Sequence, residues 1–492
     1  MSELSVLPEP QRVFYHFDQL SRIPRPSGQE KAVGDYLLSF AAEHSLTCSR
    51  DEAGNVIIIK EASAGREGDE PLILQGHMDM VCEKEPDCQK DMEKEGLDLV
   101  LDGDWLYAEG TTLGGDDGIA VAIALALLED DTLSHPRMEF VCTTEEETGM
   151  GGAHGLDPSL LKGRLLLNID SEEEGVITAG CAGGENLVLR LPLHYEPAEG
   201  SVMTLSVSGL TGGHSGSCIQ CGRANADVLM MRILRRLDAT AGFRLISLEG
   251  GTKHNAIPRN SCAVIVTDDP AAVREEIRGM ESVLKKEFAV TDPALQLSAE
   301  ETDSSAGADS SAGTGTDSSV EALTLTGTKA LLALLSSLPD GVLHMDQHLD
   351  GLVETSLNLG ILHASGEELY AEYLVRSSLE SRLDEMLQLF TFVAEQAGAT
   401  LTCADRYPAW QYVADSAFRE KIVRLFEEQY GKKPVVETIH AGLECGLLSE
   451  KIPGLDAVSI GPDIEDIHTP QERMSVSSVQ RTYAYIRSII ES

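Results

Sequence analysis

Several residues able to do chemistry stand at the ends of short apolar runs. Gly76-His77-Met78-Asp79 follows the run at residues 72–74, and Glu146-Glu147 follows the one at 139–142. Asp170 closes a third run at 165–169, and His468 lies eight residues past a fourth at 457–460. Asp116 belongs to the Gly-rich Leu113-Gly-Gly-Asp-Asp-Gly118, just ahead of an Ala-, Ile- and Leu-rich stretch. The fully apolar run at 72–74 reads as a strand buried on both faces, and the mainly apolar runs at 139–142, 165–169 and 457–460 read as further buried strands. In an open α/β sheet the carboxyl ends of such strands line the ligand crevice. Seven ionisable groups are therefore expected at one rim. Two imidazoles among carboxylates suit zinc or cobalt better than magnesium, which takes an oxygen shell. With one carboxylate bridging, five ligands can hold two ions and leave positions open for water. Adjacent glutamates diverge, so one can bind metal while the other carries protons. Each residue alone has an ordinary explanation, such as a satisfied histidine, a solvated acidic turn or a helix cap. The ordered set H-x-D, D, E-E, D, H does not.

The elements that must hold this rim alternate. Residues 29–42 read as a helix with Val33, Tyr36, Leu37 and Phe40 on one side. Ser27 and Glu30 have the spacing of a capping box at its start. Strands at 56–59 and 72–74, a buried helix at 119–128, and strands at 139–142 and 165–169 predict an open α/β sheet flanked by helices. After about residue 184 the texture changes to half-exposed strands at 189–193 and 204–208, a helix at 225–237 and strands at 244–248 and 262–266. That pattern predicts an α+β domain with helices on one face of its sheet. Residues 299–319 are low-complexity Ser, Ala, Gly, Thr and Asp, expected as a flexible, exposed insertion. Strand-like runs resume at 355–362 and 369–376. From about residue 400 a helix at 416–430 and a strand at 457–460 restore the α/β character. The expected division is 1–185 with 397–492 in one domain and 186–396 in the other.

The bulk properties narrow the function. A chain of 492 residues exceeds one ordinary core. It holds 42% hydrophobic against 24% charged residues and no apolar run long enough for a membrane span. A formal charge of -43 excludes nucleic acid and anionic membranes as partners. The start of the chain lacks the pattern of a secretory signal, and ten scattered cysteines fit a reducing compartment, so the cytoplasm is expected. Cys218-Ile219-Gln220-Cys221 has the CxxC spacing but no matching second pair, and is read as two ordinary thiols.

The ordered motifs LQGHMDMV, GTTLGGDDG, TEEETGMGGA, NIDSEEEG with GCAGG, GLTGGHSG, NAIPR, HAGLECGLL and IGPDIEDIHTP resemble those of the M20 metallopeptidases, and within them the aminoacyl-histidine dipeptidase type. The resemblance covers nearly the whole chain. It implies a two-domain fold, a di-zinc α/β catalytic domain with an inserted α+β lid, acting on small peptides and forming a homodimer through the lid. Carried over by motif, His77 and Asp170 hold one zinc, Glu147 and His468 the other, and Asp116 bridges. Cobalt or manganese are the expected substitutes. Asp79 orients His77, and Glu146 is the general base. His214 is the lid residue expected at the substrate carbonyl, with Asn255, Arg376 and the backbone at Gly442 as further substrate contacts. Asp117 stands where the resemblance leads to a neutral residue, adding negative charge beside Asp116. Two other readings remain at this stage: an aminoacylase or carboxypeptidase on the same fold, and a non-catalytic binding protein on a decayed one.

Overall fold

The computed structural model describes residues 10–302, 319–347 and 351–492. Contacts divide the chain into two units, Met1–Cys181 with Trp410–Thr438 and Leu443–Ser492, and Ala182–Ala409 with Ile439–Gly442.

The first unit is built on an eight-stranded sheet in the order Thr47–Arg50, Val56–Lys60, Met138–Thr143, Leu72–His77, Leu165–Asn168, Asp456–Ser459, Val176–Cys181, Val435–Ile439. Its four middle strands, Met138–Thr143 through Asp456–Ser459, run parallel. Met138–Thr143 and Leu72–His77 are buried at every position, as strands covered on both faces are. The helix Gly115–Glu129 is apolar on all sides and buried from Gly118 to Leu128, the mark of a core helix. Its start presses against the sheet: a Cβ at Gly76 would lie 2.4 Å from Asp117 Oδ2 and 2.6 Å from Ala120 Cβ. A smaller four-stranded sheet includes Ile464–Glu465 and Arg473–Ser475, and the turn between these strands carries His468.

The second unit has a long antiparallel sheet in the order Gln296–Glu301, Ser201–Ser208, Ser261–Thr267, Arg244–Gly250, Val353–Ser365, Glu368–Ser377, Gly183–Pro192, Thr400–Tyr407. The helices Ala226–Thr240, Pro270–Glu287, Leu325–Ser337 and Glu380–Ala397 pack on it. Burial alternates along Ser201–Ser208, as expected for a strand with one dry face. A separate apolar core fills the space between sheet and helices.

Three differences from the sequence reading have physical causes. Thr400–Tyr407 pairs with Gly183–Pro192, so the chain leaves the second unit after this strand and not at 397. Ala299–Glu301 pair with Met203–Leu205, so the low-complexity segment begins after an edge strand; residues 303–318 of it lie outside the described residues. Finally, Ser27 and Glu30 form no capping box. The helix Lys31–Glu43 has no side-chain cap; the Ser27 hydroxyl donates to Asp79 Oδ2 at 2.8 Å, and Glu30 Oε1 accepts the N–H groups of Gly28 and Glu145.

Candidate metal centre

Because the middle strands are parallel, their carboxyl ends share one edge, and the first unit gathers all seven expected residues there. His77 ends Leu72–His77, Glu146 and Glu147 follow Met138–Thr143, and Asp170 follows Leu165–Asn168. The small sheet delivers His468 with a backbone φ of 60°, a left-handed conformation that a non-glycine residue adopts only when its surroundings impose it.

Asp116 lies between the two histidines. Its Oδ1 is 3.0 Å from His77 Nε2 and its Oδ2 is 3.1 Å from His468 Nε2. Asp170 Oδ1 is 3.6 Å from His77 Nε2, and Glu147 Oε2 is 3.0 Å from His468 Nε2. Two triads therefore have ligand atoms within 4.8 Å of one another, His77–Asp116–Asp170 and Asp116–Glu147–His468, sharing Asp116. Glu146 forms a third such group with His77 and Glu147. The donor set, nitrogen and oxygen with one carboxylate common to both triads, fits a pair of divalent cations.

Asp79 joins these loops. Fully buried, its Oδ1 lies 3.3 Å from His77 Nδ1 and accepts the Glu146 N–H at 3.1 Å, while Oδ2 accepts the Glu147 N–H at 3.2 Å. One carboxylate thus holds both an imidazole and the turn that carries the glutamate pair.

The charges of the rim act on one another. Burial opposes ionisation of Asp116, but hydrogen bonds from His468 and His77 outweigh it and hold its carboxyl below the usual range. Hydrogen bonds to Asp116 and Glu147 raise His468 to about 10. For Glu146, burial pushes the carboxyl well above the usual range; His77 opposes this, and the charges of Glu444, Glu147 and Asp116 add to it. Burial and then Asp117 do the same to Asp170. So many carboxylates in a buried rim favour whatever positive charge can enter, protons or metal ions. Asp117 lies beside Asp116 and is itself buried. It is 2% exposed, burial pushes its carboxyl well above the usual range, and its Oδ2 accepts the His77 N–H at 3.1 Å.

Sequence reasoning missed a polar layer under the ligands. Glu444, fully buried at the start of Glu444–Lys451, accepts from Gln75 Nε2 at 2.6 Å and Thr143 Oγ1 at 2.7 Å. Asn168 Nδ2 donates to Gln75 Oε1 at 2.6 Å. Gln75 and Asn168 stand two residues before His77 and Asp170. The signal was an acidic residue in the otherwise apolar end of HAGLECGLL.

The second unit holds the four expected substrate contacts. His214 pairs with Ala256 in a two-stranded ribbon, and Ser215 N–H donates to Asn255 O at 2.8 Å, so Asn255 adjoins that ribbon. The His214 Nδ1 accepts the N–H groups of Gly216 and Ser217 at 3.2 and 3.3 Å, which leaves the proton on Nε2. Partial burial and the charges of Arg376 and His254 lower this imidazole to about 4. Arg376, 6% exposed, donates through Nη1 to Tyr407 Oη at 2.7 Å. A Cβ at Gly442 would lie 2.8 Å from the same tyrosine ring. His440, unmarked in the sequence, meets Ser356 Oγ through Nε2 at 2.7 Å. Cys218 and Cys221 are free thiols and belong to none of the metal-ligand groups found among the described residues.

A rim of this composition on this topology is that of a metallopeptidase, and residues 73–492 match the model of peptidase family M20/M25/M40. The chain belongs to that family and is a peptide hydrolase. It is 36% identical over 495 residues to the cytosol non-specific dipeptidase of Escherichia coli (strain K12), spanning 100% of this chain and 99% of that relative. The crystal structure of aminoacylhistidine dipeptidase from Vibrio alginolyticus is similar with a TM-score of 0.88 at 34% identity, covering 100% of this chain and 98% of that one. A tripeptidase from Staphylococcus aureus subsp. aureus mu50 shares the fold at a TM-score of 0.55 and 16% identity, over 98% of this chain and 97% of that one.

Proposed function

We propose that this chain is a cytoplasmic two-zinc dipeptidase of broad specificity that includes aminoacyl-histidine dipeptides. The observation that carries the reading is the division of the Asp116 carboxylate, one oxygen toward His77 and the other toward His468. Whole-length similarity to a cytosol non-specific dipeptidase and to an aminoacylhistidine dipeptidase supports the substrate class. Among the described residues no helix is long and apolar enough to cross a membrane.

In this reading the first unit is catalytic. His77 and Asp170 hold one zinc, Glu147 and His468 the other, and Asp116 serves both. Zinc bound there lowers the pKa of water and acts as a Lewis acid toward the peptide carbonyl. Glu146 takes the proton of the attacking water and returns it to the leaving amine; its raised proton affinity suits that task. Asp79 keeps His77 and the glutamate turn in register, a supporting role that sharpens ligand geometry. The second unit carries the residues assigned to substrate binding. Arg376 pairs with the substrate carboxylate, with Asn255 and the Gly442 backbone beside it. Neutral His214 donates its Nε2–H to the substrate carbonyl oxygen. No residue becomes covalently attached to substrate.

The test is an assay of zinc-loaded protein on Xaa-His dipeptides, including β-alanyl-histidine, beside N-acetyl amino acids and longer peptides. Dipeptides are expected to turn over fastest. Faster cleavage of the acetylated compounds would replace this reading by an aminoacylase, and preference for long peptides by a carboxypeptidase. Elemental analysis showing fewer than two metal ions per chain would remove the two-ion scheme.

A further inference from the structure

Two buried ionic residues outside the ligand set grip the loop that presents Asp116. Glu472, 2% exposed, lies four residues past His468. Its Oε2 accepts the N–H groups of Leu113 at 2.8 Å and Gly114 at 3.0 Å. Its Oε1 accepts those of Gly115 at 2.8 Å and, more loosely, Asp116 at 3.4 Å. One carboxylate thus takes four successive backbone donors. Arg25, 1% exposed, holds the same loop through its carbonyls: Nη2 donates to Gly114 O at 2.6 Å, and Nη1 donates to Met78 O at 3.1 Å and Asp79 O at 2.9 Å.

The glycines of this loop make the approach possible. A Cβ at Gly114 or at Gly118 would lie 2.5 Å from Arg25 Nη2, and Gly114 has a φ of +64°. A Cβ at Gly115 would lie 3.2 Å from Glu472 Oε1. A buried charge carries a high desolvation cost unless several hydrogen bonds offset it, and the hydrogen bonds described for the Glu472 carboxylate go to the Asp116 loop.

We propose that Arg25 and Glu472 are positioning residues forming a clamp that sets the spacing between the loops of His77, Asp116 and His468. The inference rests on the two-metal reading above. Arg25 ties the His77–Asp79 turn to Gly114, and Glu472 ties the His468 turn to residues 113–116. Neither touches a ligand atom or a reacting group. The bridging ligand is the one most sensitive to such a clamp. A small shift of a terminal ligand alters one metal distance, whereas a shift of Asp116 alters the geometry at both ions together.

Glu472→Gln tests this, because the amide keeps one acceptor and turns an N–H₂ toward backbone N–H groups. Zinc affinity, by competition with a chelator, is expected to fall by about 10- to 100-fold, the scale for partners that orient metal ligands. The visible absorption of the cobalt-loaded protein is expected to change, and kcat to fall with KM within about twofold, on the same scale. Glu465→Gln, an exposed change in the same small sheet, is expected to leave both metal readouts unaltered. If Glu472→Gln does not fold, Gly115→Ala carries the test by pushing on Glu472 Oε1, with a smaller loss of zinc affinity expected. Wild-type zinc affinity and an unchanged cobalt spectrum in folded variants would overturn the clamp while leaving the enzyme reading intact. A wild-type chain that binds no metal pair would overturn the enzyme reading itself.

Discussion

The candidate functional residues of the two units are held by different means. In the first unit they hang from the ends of parallel strands and are cross-linked by side chains: Asp79 binds both glutamate N–H groups, and Glu444 binds Gln75 and Thr143 beneath the ligands. In the second unit, His214 sits on a two-stranded ribbon with Asn255 just before its other strand, and Arg376 donates to the Tyr407 phenol. Close geometry is needed where metal distances decide reactivity. A substrate carboxylate tolerates a looser grip. Substitutions in the first unit should therefore act on metal content and kcat, and those in the second on KM.

The largest effect is expected for Asp116→Ala, which removes the group shared by both triads: activity lost and metal content reduced, read by elemental analysis. Two tightly retained ions would break the comparison at its root. Next, Glu146→Gln should keep both ions and lose about 10²- to 10⁴-fold in kcat, the range of general acid–base catalysis. Loss of a metal ion instead would make Glu146 a ligand, as its place beside His77 and Glu147 permits. In the second unit, Arg376→Gln should raise KM for dipeptides about 10- to 100-fold, as loss of a charged hydrogen bond does. A fall in kcat with KM unchanged would blur the division of labour.

The smallest effect concerns stability alone. Asp227 is fully buried in the second unit. Burial pushes its carboxyl up to about 7, with Ser261 opposing and Asp340 adding to the shift. The folded chain then keeps a proton that the unfolded chain releases near 3.8, so this stabilisation is complete below that pH and declines as pH rises toward 7. The expected slope in that window is about 1.4 kcal/mol per pH unit. Asp227→Asn should remove it without changing activity, in urea unfolding at pH 5 and pH 8. Parallel pH profiles for variant and wild type would refute the shift.

What the sequence disclosed follows the same contrast. Buried parallel strands are short, mainly apolar runs, so those at 72–74, 139–142 and 165–169 could be read directly, together with the ionisable residues that follow them. Residue roles needed the ordered motifs as well. The supporting groups were hidden because their meaning lies in distant partners. Arg25 in IPRPSG looks like any loop arginine until Met78, Asp79 and Gly114 surround it. Ser27 matched a local cap, yet its hydroxyl reaches Asp79. From the sequence, residues 400–407 are expected in the first domain, and only pairing with Gly183–Pro192 assigns them to the second unit. Nothing in the composition of residues 439–442 marks them as a return to the second unit.

The position of one strand bears on how the molecule is made. Asp456–Ser459 lies between Leu165–Asn168 and Val176–Cys181, so a late segment completes the middle of a sheet whose other parallel strands are synthesised early. On the ribosome those early strands must wait for their neighbour across several hundred residues, a non-local pairing of the slow kind. His468 emerges later still. The nascent chain therefore cannot complete its candidate metal centre before His468 has been made, and fragments lacking His468 should be unable to cleave peptides.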